Sequence, residues 1–319
     1  MSPEQNGKLT LSMRAQFSKP ARVLRVASRG ALAYVPRSMF APLLVLESLG
    51  KDRFVAPPSP DKGERMFGGQ FLAQCMAAAQ ATVAGDRRVN SLHGYFLRPG
   101  DVDLDVDIKV EVVRDGRSFS SRQVLASQRG KELFRMLVSY QVPDESPEFT
   151  AAPMPDAPPP DQVSYTYDDF TLEQSGADAW HGSDRPVDIR YINPPTEPRG
   201  VPVTETQLMW MRIPESLPNA CFVHQAGLAY LSDTTVVDHV MLPLGMRWQD
   251  TGLEGTSLDH AMWFHRPARA DEWLLFAQDV EATGGGRGLA RGRLYTRRGQ
   301  LAATCVQEGL MRWNIPNTT

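Results

Sequence analysis

Cysteine is scarce in this chain: Cys75, Cys221 and Cys305 are the only three in 319 residues. They lie far apart, no CxxC is present, and no Cys/His spacing repeats, which excludes a disulfide framework and leaves no metal site to expect. Each reads as a small buried apolar residue in a reducing compartment. Long apolar runs are missing too, since none approaches the ~18–20 residues of a membrane span. Neither sign of charge dominates: 34 Lys and Arg face 37 Asp and Glu, a net charge of −3. There is thus no global basic surplus to hold nucleic acid or a membrane surface. A nucleophile elbow of the form GxSxG is absent; the nearest string, Gly255-Thr256-Ser257-Leu258-Asp259, lacks the final glycine and precedes a strand. The chain ends Asn317-Thr318-Thr319, without the Ser-Lys-Leu address. These absences lead us to expect a cytoplasmic protein with no transmembrane segment.

One stretch stands apart. Residues 1–38 carry Lys8, Arg14, Lys19, Arg22, Arg25, Arg29 and Arg37 with no acid after Glu4. That composition suits a disordered basic arm, an organelle address or a membrane-surface helix, so the compartment stays open on its account.

The globular pattern begins near Met39. Gly68-Gly69-Gln70 opens a helix, and Phe71 to Val83 is Ala-rich, with Leu72, Met76 and Ala79 at helical spacing. Small and apolar all round, such a helix is expected to be buried. From Asp101 to Val112 apolar and charged residues alternate strictly, which predicts one long half-buried antiparallel strand. Its acids read as a solvated face, not a metal site. Two more strands are expected, over Phe119 to Ser127 and Leu133 to Gln141, joined by a turn at Arg129-Gly130-Lys131. A buried helix against such a sheet is an α+β arrangement.

Pro143, Pro147, Pro153, Pro155 and Pro158-Pro159-Pro160 then make residues 143–185 read as a Pro-rich linker. Beyond it the pattern returns. Tyr95-Phe96-Leu97-Arg98-Pro99 is matched by Trp263-Phe264-His265-Arg266-Pro267, Arg117–Val124 by Arg287–Leu294, and Arg129-Gly130-Lys131 by Arg298-Gly299-Gln300. A helix is expected over roughly Gln225 to Asp233. Helix then long strands, twice, is a duplicated domain, with a first unit over 39–142, a second over 186–313 and a tail over 314–319.

Five segments carry a resemblance: ERMFGGQFLAQCMAAA (Glu64–Ala79), LHGYFLRPGD (Leu92–Asp101), FVHQAGLAYLSD (Phe222–Asp233), SLDHAMWFHRP (Ser257–Pro267) and TCVQEGLMR (Thr304–Arg312). Together, and in this order, they resemble the acyl-CoA thioesterase II family. The resemblance implies two fused hotdog folds, each a long helix wrapped by a curved antiparallel sheet. It further implies chemistry in the second unit, an acyl-CoA substrate, no cofactor and a homo-oligomer. It also implies a water-activating triad, mapped here to Asp233, Ser257 and Gln307, with Ser in place of the family's Thr.

The chemistry agrees with that mapping. Thioester hydrolysis needs a held water, a group to take its proton and donors for the developing oxyanion. A carboxylate can take the proton, and a hydroxyl and an amide can orient the water. We expect the oxyanion donors near His224 and Gln225, at a helix start, and phosphate contacts from Arg287 and Arg291. His260 is assigned no role. Two rivals remain: a hotdog hydratase or dehydratase using Asp259 and His260, and an acyl-CoA-binding module without catalysis.

Overall fold

A computed structural model of the chain describes residues 39–60, 63–170, 185–247, 250 and 252–313. The basic arm over 1–38, the end of the expected linker over 171–184 and the tail over 314–319 lie outside the described residues.

The first half runs α1 (Phe40–Leu43), β1 (Glu47–Gly50), β2 (Arg53–Ala56), α2 (Gly68–Gln80), β3 (Arg88–Phe96), β4 (Val106–Asp115), β5 (Phe119–Gln128) and β6 (Lys131–Gln141). The second runs β7 (Asp188–Tyr191), β8 (Gln207–Arg212), α3 (Cys221–Ser232), β9 (Leu253–Ser257), β10 (Asp259–Phe264), β11 (Leu274–Gly284), β12 (Arg287–Thr296) and β13 (Leu301–Trp313). The strands form one antiparallel sheet in the order β1-β2-β4-β5-β6-β3-β10-β13-β12-β11-β8-β7, with β9 paired to β13. The halves join at β3 and β10, from Tyr95 opposite Asp259 to Ser91 opposite Trp263. Two long helices on one continuous antiparallel sheet make an α+β double hotdog.

The sheet wraps α2 and α3, which also pack on each other. α2 holds no β-branched residue, and after its opening Gly68-Gly69 it is rich in the good helix formers Ala, Leu, Gln and Met. From Gly69 to Ala79 every side is buried. Leu72 and Met76 are fully enclosed, and truncating either to Ala would cost about 2–5 kcal/mol. The helices approach so closely that a Cβ on Gly69 would lie 2.6 Å from the Tyr230 carbonyl oxygen. Gly69 is therefore there for contact, not for flexibility.

Two expectations need correction. The long alternating strand starts at Val106, not Asp101. Before it, the Asp101 carboxylate accepts the Asp103 N–H at 3.1 Å and the Gln128 side chain bonds Asp101 N–H and the Leu104 carbonyl. These local bonds replace a strand ladder, although burial still alternates. At the far end a bulge between Val112 and Arg114 leaves Val112 exposed. The Pro-rich segment is also more than a tether. Trp210 Nε1 donates to the Pro158 carbonyl at 2.7 Å, Tyr295 Oη donates to Ala152, and Met154 and Ala157 pack with Trp210, Leu275 and Tyr295. The prolines preset an extended chain, which then docks along the sheet of the second half.

Candidate active site

Because the helices run in opposite directions, the C-terminus of α3 faces the N-terminus of α2. Asp233 ends α3 as its C-terminal cap. Its side chain is 3% exposed and points at the first turn of α2. A Cβ on Gly68 would fall 2.5 Å from Asp233 Oδ2, and the Gly69 N–H donates to this carboxylate. The pair of glycines thus admits a carboxylate into the positive end of a helix from the other half of the chain.

From β13, Gln307 Nε2 donates to Asp233 Oδ1 at 2.6 Å. Gln307 is wholly buried. Burial pushes the Asp233 carboxyl up to about 7, opposed by the Gln307 donor, the charge of Arg185 and the Gly69 N–H. Arg185 lies 4.4 Å over the Phe67 ring, beside the same helix start.

Ser257 closes β9 opposite Gly309. On β13 Cys305, Gln307 and Gly309 alternate inward, so Ser257 shares the inner face with Gln307, one diagonal step away. Among the described residues, its hydroxyl bonds neither Asp233 nor Gln307. The structure therefore joins Asp233 to Gln307 directly and brings Ser257 alongside.

The other expected residues lie elsewhere. His224 and Gln225 sit in the first turns of α3, eight or nine residues before Asp233, roughly 12–14 Å along the axis. His224 Nδ1 accepts the Ala270 N–H at 3.3 Å. The Gln225 amide grips both backbone groups of Val89, at 2.6 and 3.3 Å. Both side chains hold α3 to its neighbours. Arg287 and Arg291 project from the opposite face of β12 and are paired, Arg287 with Glu308 at 2.9 Å and Arg291 with Glu281 at 2.7 Å and Asp279 at 3.2 Å. The helix start that does meet Asp233 is Gly68-Gly69. Its sequence signal was the Gly-Gly ahead of the buried helix, but nothing local shows which carboxylate it faces.

Among the described residues, the first half has no counterpart to this pair. His93 opposite Leu137 corresponds to Ala261 opposite Val306, which puts Val138 where Gln307 stands. Opposite Val138, the buried Arg122 donates to Thr82 Oγ1 and to the Thr82 carbonyl, both at 2.9 Å.

Asp259 and His260 face opposite ways. Asp259 accepts from the Glu308 N–H at 2.8 Å and lies 2.9 Å from His93 Nε2, whereas His260 is enclosed with Nε2 2.9 Å from Ser232 Oγ. Among the described residues, no group of three His, Cys, Asp or Glu is placed to hold a metal. No described helix is long and apolar enough to cross a membrane.

Two family models match: "Acyl-CoA thioesterase N-terminal domain" over residues 55–141 and "Acyl-CoA thioesterase" over 183–310. Mouse acyl-coenzyme A thioesterase 8 is 35% identical over 303 residues, covering 90% of this chain and 93% of its own. Acyl-CoA thioesterase 2 of Haemophilus influenzae is 33% identical, covering 85% of this chain and 96% of its own. The crystal structure of acyl-CoA thioesterase II from Mycobacterium marinum superposes with a TM-score of 0.72 at 34% identity, covering 88% of this chain and all of that one.

Proposed function

The chain belongs to the acyl-CoA thioesterase II family and hydrolyses acyl-CoA thioesters, and from that premise we propose that it does so by direct attack of a water activated at Asp233, Ser257 and Gln307. The contact that carries this reading is the buried Gln307–Asp233 hydrogen bond at the open end of α2. A carboxyl held near 7 is half ionised at neutral pH, which suits a general base. The ionised Asp233 takes a proton from the water as its oxygen attacks the thioester carbon. Gln307 and Ser257 orient that water. The Gly69 N–H is spent on Asp233, so Gly68 N–H is the helix-end donor offered to the oxyanion. Collapse breaks the C–S bond, and the proton held by Asp233 leaves with the coenzyme A thiol.

The hydratase rival loses ground because Asp259 and His260 do not meet. The binding-module rival predicts no turnover. We place the enzyme in the cytoplasm, where its three free cysteines fit, and as a homo-oligomer. Exposed Tyr95, Leu137 and Trp263 on the outer sheet face give a second copy something to cover, and light scattering tests this.

The test is a panel of acyl-CoAs, from short to very long, with a thiol-reactive dye, followed by mass measurement of rapidly quenched enzyme. Thiol release with an unmodified protein mass supports direct water attack. An acyl adduct on Asp233 or Ser257 would replace it with a covalent route, and no release from any thioester would favour the binding module.

A further inference from the structure

His260 was given no part in the reaction, yet it is a fully enclosed polar neighbour of the site. It lies on β10, wholly buried, one step beyond the Ala261–Val306 pair. That step sets it beside Gln307 on β13, where facing Cβ atoms are about 4.5–5.5 Å apart. Among the described residues, two buried polar atoms in this spot find no partner outside each other: His260 Nδ1 and Gln307 Oε1. One is a ring nitrogen that can carry hydrogen, the other an oxygen that can only accept. The alternative acceptor for the ring, Asp233 Oδ1, is 3.6 Å away, too far for a good bond.

We propose that His260 is a positioning residue whose Nδ1–H donates to Gln307 Oε1 and so fixes which way round the catalytic amide sits. This rests on the reading of Gln307 as a water-orienting group. With Oε1 held by the ring, Nε2 must face Asp233, as it does. Ser232 supports the arrangement. Its Oγ is 2.9 Å from His260 Nε2 and 3.0 Å from the Ala229 carbonyl. As placed, the hydroxyl donates its one hydrogen to the Ala229 carbonyl; turned to Nε2 by rotation about its C–O bond, that hydrogen leaves the ring's own hydrogen on Nδ1. Burial keeps the ring neutral, its pKa lowered to about 4, so it positions without carrying charge. The hydrogen bonds then run in one direction, from Ser232 through His260 and Gln307 to Asp233.

The experiment measures kcat, KM and the pH profile for His260→Leu, His260→Asn and Ser232→Ala, in wild type and in Gln307→Ala. His260→Leu should lower kcat roughly tenfold to a hundredfold, the scale of one lost buried donor, with KM within about twofold. Its acid limb should move to higher pH as Asp233 loses the donor that lowers it. His260→Asn, which offers an N–H in place of Nδ1–H, should recover most of the rate. In Gln307→Ala, neither His260→Leu nor Ser232→Ala should slow the enzyme by more than about twofold, because the group they position is gone. If His260→Leu does not fold, Ser232→Ala carries the same comparison. Full activity in both His260→Leu and Ser232→Ala overturns the proposal, as does either one acting in full on top of Gln307→Ala, the mark of a purely structural role. Unchanged rates in Asp233→Asn would instead remove the base, a separable outcome.

Discussion

Gln307 and Asp233 lie 74 residues apart and meet through a 2.6 Å hydrogen bond, with Gln307 wholly buried and the Asp233 side chain 3% exposed. The amide does two things at once: it steadies the carboxylate against the cost of burial and fixes its direction.

Rate should therefore track the ionisation of Asp233. Its folded pKa is raised to about 7, so kcat/KM should rise with pH through a limb near 7 and fall about tenfold per unit well below it. Gln307→Ala removes a donor that favours the charged form, which raises the pKa further. The limb should shift to higher pH, with a loss of roughly tenfold to a hundredfold at its plateau. A pH–rate series on both enzymes checks the sign.

Gly68→Ala puts a methyl 2.5 Å from Asp233 Oδ2 and 2.9 Å from the Phe96 ring. Either the carboxylate or the helix start must move. We expect a stability loss of about 1–3 kcal/mol and a kcat loss larger than that in Gly284→Ala, which meets nothing within 4 Å. Thermal melts and initial rates on the two variants separate the effects.

Arg291→Ala should leave KM for acyl-CoA within about twofold, because its guanidinium is committed to Asp279 and Glu281 on the other face of β12. A severalfold rise in KM would return it to the coenzyme A site.

The fold was legible where local pattern and tertiary role coincide. Val106, Ile108 and Val110 alternate because one face of β4 is buried. Arg129 and Gly130 take positive φ, 49° and 73°, as the turn between two strands requires. The motifs around Asp233 and Gln307 marked both residues, and the structure brings their side chains together. What escaped depends on distant partners. The strand over Asp101–Asp105 was lost to bonds from Gln128, on another strand. The helix start beside Asp233 was sought at α3 because sequence order favours neighbours, whereas the packing of the two helices brings Gly68 to Asp233. Arg291 looked like a phosphate ligand because Asp279 faces it only once β11 and β12 pair.

Asp233→Asn is the most direct test. It keeps the size of the side chain and removes the base. Thiol release from the preferred acyl-CoA should fall at least ~10²-fold, with circular dichroism and oligomeric state unchanged. A folded Asp233→Asn enzyme turning over at the wild-type rate would contradict the role of Asp233, and with it the water-activating site built around it.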